Sequence, residues 1–421
     1  MVKNRTWLIA SLLIVLAMVF TACAPAVTPT PVPPTAAPAQ PTAAPTTPPP
    51  LNIGLLLVGL RSDHGWSQAH YDASLYVQQK IPNTQFQYLD NVYVGTGGLP
   101  QGQTEADVAA DMVSKGAKIV IFNSDAMQDS AIAFAKAHPD IYVIHASGDS
   151  AWKDGKNFQD IPNLYDVMGR MEYGKMIAGC AAALTTQTGK IGYLGPLVND
   201  ETRRLSSSAY LGAEYCWTNY LNKKPADLKF KVTWIGFWSN IPGVTLDPTQ
   251  VADEFYNSGY DVVLSGIDTT ENLVEAGKLR GAGKTVWAIP YDYKDACAEA
   301  TQYCLGVPYF NWGPAYVDLI NQVIAGTFKA GFEWLAPDWK NINNPDTSAV
   351  GFTKGAALSA DASANVDKFI GELANGLNLL KGPLNFQDKT VYLKDGEVAT
   401  DQQIWYFPQL LEGMEGLSVS K

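Results

Sequence analysis

The sequence predicts an α/β protein made of two doubly wound parallel-sheet lobes, joined by a hinge and facing each other across a cleft. Three observations carry that expectation. From residue 51 onward, short apolar runs alternate with amphipathic helical stretches, the pattern of parallel strands covered by helices on both faces. The alternation starts afresh after a long helix near residue 170. And 421 residues, 47% hydrophobic and only 17% charged, suffice for two cores.

Taken in order, strands are expected at 52–58 (NIGLLLV), 85–89, 118–122 (KIVIF) and 141–145 (IYVIH). Helices are expected at 66–80, 103–114 and 128–137. The long helix covers 168–185, where Gly174, Ala178, Gly179, Ala181 and Ala182 permit close packing. Strands at 190–194, 229–235, 261–265 and 285–289 then interleave with helices at 202–221, 250–257 and 271–280. A helix at 314–325 follows, and 390–400 reads as a hairpin turning at Asp395-Gly396. The expected lobes are 51–170 with 311–345, and 171–310 with 346–421. Ligands of such sheets bind at the carboxyl ends of the strands, so the cleft is the expected site.

The first 50 residues are of another kind. Lys3 and Arg5 precede an apolar run of thirteen, 8–20, too short to span a membrane and of the length of a signal-peptide core. Thr21-Ala22-Cys23 then resembles a lipoprotein cleavage site, giving a signal peptide of 1–22 and a lipidated Cys23. Residues 24–50 hold eleven Pro, seven Ala and six Thr with no charge, glycine or aromatic, so 23–50 reads as an extended tether. These features place the body outside the cytoplasm, held to a membrane by lipid.

Apart from Cys23, four cysteines remain, and an oxidising compartment favours pairing them. Cys297 with Cys304 and Cys180 with Cys216 is the most economical of the three pairings, and buried free thiols are the alternative.

Several chemistries are excluded. A net charge of −11 argues against nucleic acid as a partner. Four scattered histidines and the lack of H-E-x-x-H or paired C-x-x-C leave no metal site, and no cofactor motif is present. There is no G-x-S-x-G nucleophile elbow. The stretch 281–285 (GAGKT) imitates a phosphate loop, but its glycine spacing is wrong and it leads into a strand rather than a helix. Paired carboxylates of a glycosidase leave no local motif, so a secreted carbohydrate hydrolase stays open. Eleven Trp and twenty Tyr suit small-molecule recognition as well as a core.

Five motifs carry a family resemblance: 63–71 (DHGWSQAHY), 188–193 (TGKIGY), 232–234 with 237–238 (VTW, FW), 288–292 (AIPYD) and 311–314 (NWGP). In this order they resemble the basic membrane protein family, lipoprotein substrate-binding components of ABC importers related to purine nucleoside receptors. The likeness covers most of 52–335. Ser67 stands where the family commonly has Asn, Pro290 where it has Gly, and 239–246 separate Trp238 from Asp247.

The resemblance implies a type I periplasmic-binding-protein fold, no catalysis, and delivery of a purine nucleoside or nucleobase to a membrane permease. It implies Trp66 and Trp238 as stacking faces, with Phe237 the alternative to Trp238. Asp63 and Gln68 would meet the base edge or ribose, Asp292 the ribose, and Asn311 the crossover side of the cleft. Asp125 and Asp268, in loops after strands, are further candidates. A sugar receptor on the same fold is the competing reading, since aromatic faces also stack on sugars.

Overall fold

The structure, a computed structural model, describes residues 49–93, 98–99 and 101–419. Cys23, the signal peptide and nearly all of the tether lie outside the described residues.

The first half begins with β1 (Leu51–Leu56), α1 (Trp66–Lys80), β2 (Thr84–Leu89), α2 (Glu105–Ser114), β3 (Ile119–Phe122), α3 (Gln128–Ala137), β4 (Tyr142–Ala146) and β5 (Leu164–Gly169). The second continues with α4 (Met171–Thr185), β6 (Lys190–Gly195), α5 (Asp200–Asn219), β7 (Lys229–Trp234), α6 (Pro248–Asn257), β8 (Val262–Ser265), α7 (Glu271–Gly281) and β9 (Trp287–Ile289). Then come β10 (Gly306–Phe310), α8 (Gly313–Ile324), β11 (Gly331–Leu335), β12 (Val350–Lys354) and α9 (Ala360–Ala374). The chain closes with β13 (Leu384–Asn385), β14 (Val391–Leu393), α10 (Asp401–Trp405) and β15 (Met414–Glu415).

Two wholly parallel sheets result, in the orders β11-β5-β4-β3-β1-β2 and β15-β7-β6-β8-β9. The central strands β3, β5 and β8 are buried at every residue because helices cover both faces. The chain passes between the sheets after β5, again through β10 into α8, and again from β11 to β12. β10 and β12 pair antiparallel beside these crossings. Helix starts are set locally: Thr104 with Asp107 and Asn199 with Thr202 form reciprocal caps, while Asp247 caps α6 ahead of Pro248.

Two expectations need correction. The helix expected from residue 168 begins at Met171, because Leu164–Gly169 is strand β5. Its middle residue, Asp166, is tolerated in the core by hydrogen bonds from the Ala151 amide (2.5 Å) and the Ser150 hydroxyl (3.2 Å). The hairpin at 390–400 also differs. Its turn forms, with Glu397 N–H donating to the Lys394 carbonyl at 3.0 Å. Its flanks, however, pair with the preceding segment: β14 lies on β13, and Val398 bridges Lys381.

Cys180 and Cys216 are bonded, tying α4 to α5 at a Cα separation of 5.2 Å. Cys297 and Cys304 are bonded across the 3-10 segment before β10, at 5.5 Å.

Candidate functional site

In each sheet the order of strands reverses about one strand, β1 in the first and β6 in the second. At such a point the loops leaving neighbouring strands diverge and a crevice opens at their carboxyl ends. Both crevices meet in one cavity, narrow and partly open to solvent, lined by Trp66, Ser124, Asp125, Ser147, Glu201, Trp238, Asp268 and Tyr291. Each of these residues lies in a loop leaving a strand or in the first turn of the helix that follows. Four come from the first half and four from the second.

The first wall is built on aromatics. Trp66 opens α1, donates its indole N–H to the Asn123 carbonyl at 2.6 Å, and meets His70, Phe310 and Trp312 edge-on. His70 is stacked on Trp312 at 4.4 Å and bonds the Tyr316 hydroxyl at 2.6 Å. The loop before α1 is held by Asp63, whose carboxylate accepts from the amides of Gly65, Ser67 and Gln68 at 2.9–3.0 Å. Burial nevertheless raises the Asp63 carboxyl to about 6 against those hydrogen bonds. Below this wall His145 and Asp166, both fully buried, lie 3.3 Å apart, and His145 bonds the Ser124 carbonyl.

The second wall is built on carboxyl groups. Burial raises the Glu201 carboxyl to about 8. Burial, reinforced by the neighbouring carboxylates, pushes Asp268 and Asp292 well up. Arg204 faces Glu201, and Lys175, on α4, faces Asp292 and Glu201; burial drives the Lys175 pKa well down. Its ammonium donates to the Ser265 carbonyl at 2.7 Å and lies 3.0 Å from the centre of the Tyr291 ring.

The two halves touch around the cavity. A Cβ on Gly65 would fall 1.7 Å from the Asp268 carbonyl oxygen, so only glycine allows this approach. His64 pairs with Glu299, and the Tyr93 and Phe237 rings lie 4.9 Å apart. His64, Ser147 and Asp292 all adopt positive φ (57°, 67°, 70°), local strain of the kind found at binding sites.

Of the eight candidates from sequence, Trp66, Asp125, Trp238 and Asp268 line the cavity. Trp238 lines the cavity, and Phe237 packs across the same gap on Tyr93. Asp63 instead holds its own loop, and Gln68 is turned to accept from the His64 amide at 3.2 Å. Asp292 is fully buried behind Tyr291, and neither of its oxygens has a hydrogen-bond partner among the described residues. Asn311 is not at the cavity; its amide donates to the Pro345 and Ser348 carbonyls at 3.0 and 2.8 Å, fixing the crossover. The sequence reading missed Ser124, Ser147, Glu201, Tyr291 and Lys175. Lys175 had a signal, a lone cation amid Met, Gly, Ile and Ala in a buried helix. Glu201 had a weaker one, an acid in the first turn of a capped helix.

Among the described residues no helix is long and apolar enough to cross a membrane. Residues 51–336 match the model of the Bmp family, described as ABC transporter substrate-binding protein, PnrA-like. A purine-binding protein of Brucella abortus is 24% identical over 359 residues, 84% of this chain and 90% of its own. A putative ABC transporter glucose-binding protein of Haloferax volcanii is 23% identical over 285 residues, 68% of this chain and 64% of its own. An ABC transporter solute-binding protein from Aeropyrum pernix shares the fold, with a TM-score of 0.59 at 13% identity over 80% of this chain and 93% of that one. With two parallel α/β sheets closing on one cavity and the family match spanning both, the chain belongs to the Bmp family of ABC transporter substrate-binding proteins.

Proposed function

We propose that the protein is an extracytoplasmic lipoprotein, anchored through Cys23, that captures a purine nucleoside or nucleobase between its two halves and hands it to a membrane permease. The observation that carries the reading is the cavity itself: one tryptophan from each half and, between them, the carboxyl groups of Asp125, Glu201 and Asp268. A purine is flat, so it suits two indole faces, each worth roughly 1–3 kcal/mol of stacking. Its amino, ring N–H and ribose hydroxyl groups are donors for a cavity rich in acceptors. Asp292 and Lys175 then act from behind Tyr291, setting the charge of the wall rather than touching the ribose. The purine-binding relative supports this choice, and the glucose-binding relative makes a sugar the competing ligand.

Calorimetry with adenosine, guanosine, inosine, the free bases and glucose tests the reading. Binding of purine compounds without turnover is expected. Binding of glucose alone would replace the purine reading, and turnover of any bound compound would replace the transport role. Cys23→Ser is expected to release the protein from the membrane fraction; unchanged retention would remove the lipid anchor.

A further inference from the structure

Past Asp125, Ser147 and Glu201, which line both, the cavity meets a second chamber of about 350 Å³ that opens widely to solvent. Trp405 and Tyr406, which help to wall it, come from the segment beyond residue 336, outside the family match. That segment is pinned to both halves. Arg203 Nε donates to the Phe407 carbonyl at 2.7 Å and Arg204 Nη1 to the Trp405 carbonyl at 3.0 Å, while the Tyr406 hydroxyl donates to Asp149 at 2.7 Å.

The polar groups of this chamber are lopsided. Both arginines are committed, Arg203 to Asp200 and two carbonyls, Arg204 to Glu172 and a carbonyl. The Asn157 amide and the Tyr406 hydroxyl are taken by Asp149. Acceptors remain: Glu201 receives no hydrogen bond from the described residues, and Asp125, which accepts from the nearby Ala126 amide, meets other side chains only at 3.4 and 3.5 Å. Asp200 keeps one oxygen away from Arg203. A chamber lined by four acids, Asp125, Asp149, Asp200 and Glu201, against two committed arginines favours donors and rejects anions.

We propose that this chamber is a second subsite that takes a donor-bearing cationic substituent, an alkylammonium, on a ligand whose ring lies in the inner cavity. The proposal rests on the purine reading, which adenosine alone tests.

Calorimetry on the full mature chain compares adenosine, 5′-amino-5′-deoxyadenosine, N6-(2-aminoethyl)adenosine and adenosine 5′-monophosphate. At least one amino compound is expected to bind about tenfold tighter than adenosine, and the phosphate at least about tenfold weaker. Gln128, at the start of α3, also lines the chamber, and Gln128→Trp, which fills it, is expected to abolish the gain and leave adenosine unchanged. Asp200→Asn is expected to reduce the gain without filling space. No gain with either amino compound, a gain that survives Gln128→Trp, or a phosphate that binds as well as adenosine overturns the subsite. Failure of adenosine itself to bind parent protein overturns the purine reading and this extension with it.

Discussion

The two walls of the cavity are made of different materials. Trp66 is seated in a nest of rings, with its indole N–H hydrogen-bonded and its loop held by three backbone amides on Asp63. Opposite it, Trp238 sits in a loop among carboxyl groups that burial has pushed up in pKa. The first wall is preformed and gains little from a ligand beyond contact area. The second buries carboxyl groups with few partners, a cost that hydrogen bonds from a ligand relieve. A rigid platform facing a wall that needs donors explains how one cavity can be selective before it closes and grip tightly afterwards.

Tryptophan truncation should separate the walls most sharply. Trp66→Ala is expected to lower stability by about 3–5 kcal/mol, because it empties the middle of the ring nest, and to weaken ligand binding as well. Trp238→Ala, equally buried but outside the ring nest, is expected to lower ligand-free stability less than Trp66→Ala and to cost roughly 1–3 kcal/mol in binding. Urea denaturation and calorimetry on both variants decide it; equal stability losses would erase the distinction.

The same contrast explains what was legible in the sequence. Helices Trp66–Lys80 and Gln128–Ala137 are where periodicity places them, since local pattern and packing agree there. Strand β5 was hidden because Asp166 breaks its apolar run and a single residue, Arg170, separates it from α4. The contacts that let Asp166 be buried come from Ser150, Ala151 and His145, which no local window joins. The aromatic wall was half visible because Trp66 lies inside a motif. The carboxyl wall was mostly invisible, because Glu201, Tyr291 and Lys175 gain meaning only when four strand ends converge.

Closure itself is the next point of attack. Gly65→Ala is expected to hold the halves apart, since its Cβ would overlap the Asp268 carbonyl oxygen at 1.7 Å. Overpacking of this kind costs about 1–3 kcal/mol, hence one to two decades in affinity. Ligand-free stability should stay unchanged. Affinity equal to the parent would show that bound and free protein share this approach equally.

A smaller effect should appear in pH. Glu201 titrates near 8 in the folded protein against an ordinary 4.5, so between those values the folded state holds the extra proton. Stability therefore falls as pH rises through that window and levels off above it. Glu201→Gln carries no such proton, and is expected to recover about 1–2 kcal/mol of ligand-free stability at pH 8 relative to pH 5. Melting curves for parent and variant across that range, at fixed ionic strength, measure the difference between the two slopes. Parallel curves would mean that Glu201 is ionised in both states and that the second wall is better solvated than its burial implies.

The smallest expected effect lies at the rim, where neither wall dominates. Tyr93 and Phe237 meet at 4.9 Å, one ring from each half, outside the ring nest. Such a pair is worth about 0.5–1.5 kcal/mol beyond the area it buries. Because its members sit on opposite halves, that energy belongs to the closed form and should appear in ligand release rather than in folding. Phe237→Ala is expected to speed release of a bound nucleoside by roughly two- to tenfold, with the association rate little changed. Tyr93→Ala should do the same, and the double variant should be no faster than either single one, as required of two groups acting through one contact. Stopped-flow release from all four proteins completes the cycle. Additive effects would mean that each ring serves its own half, leaving Gly65 on Asp268 and His64 with Glu299 as the contacts that register closure.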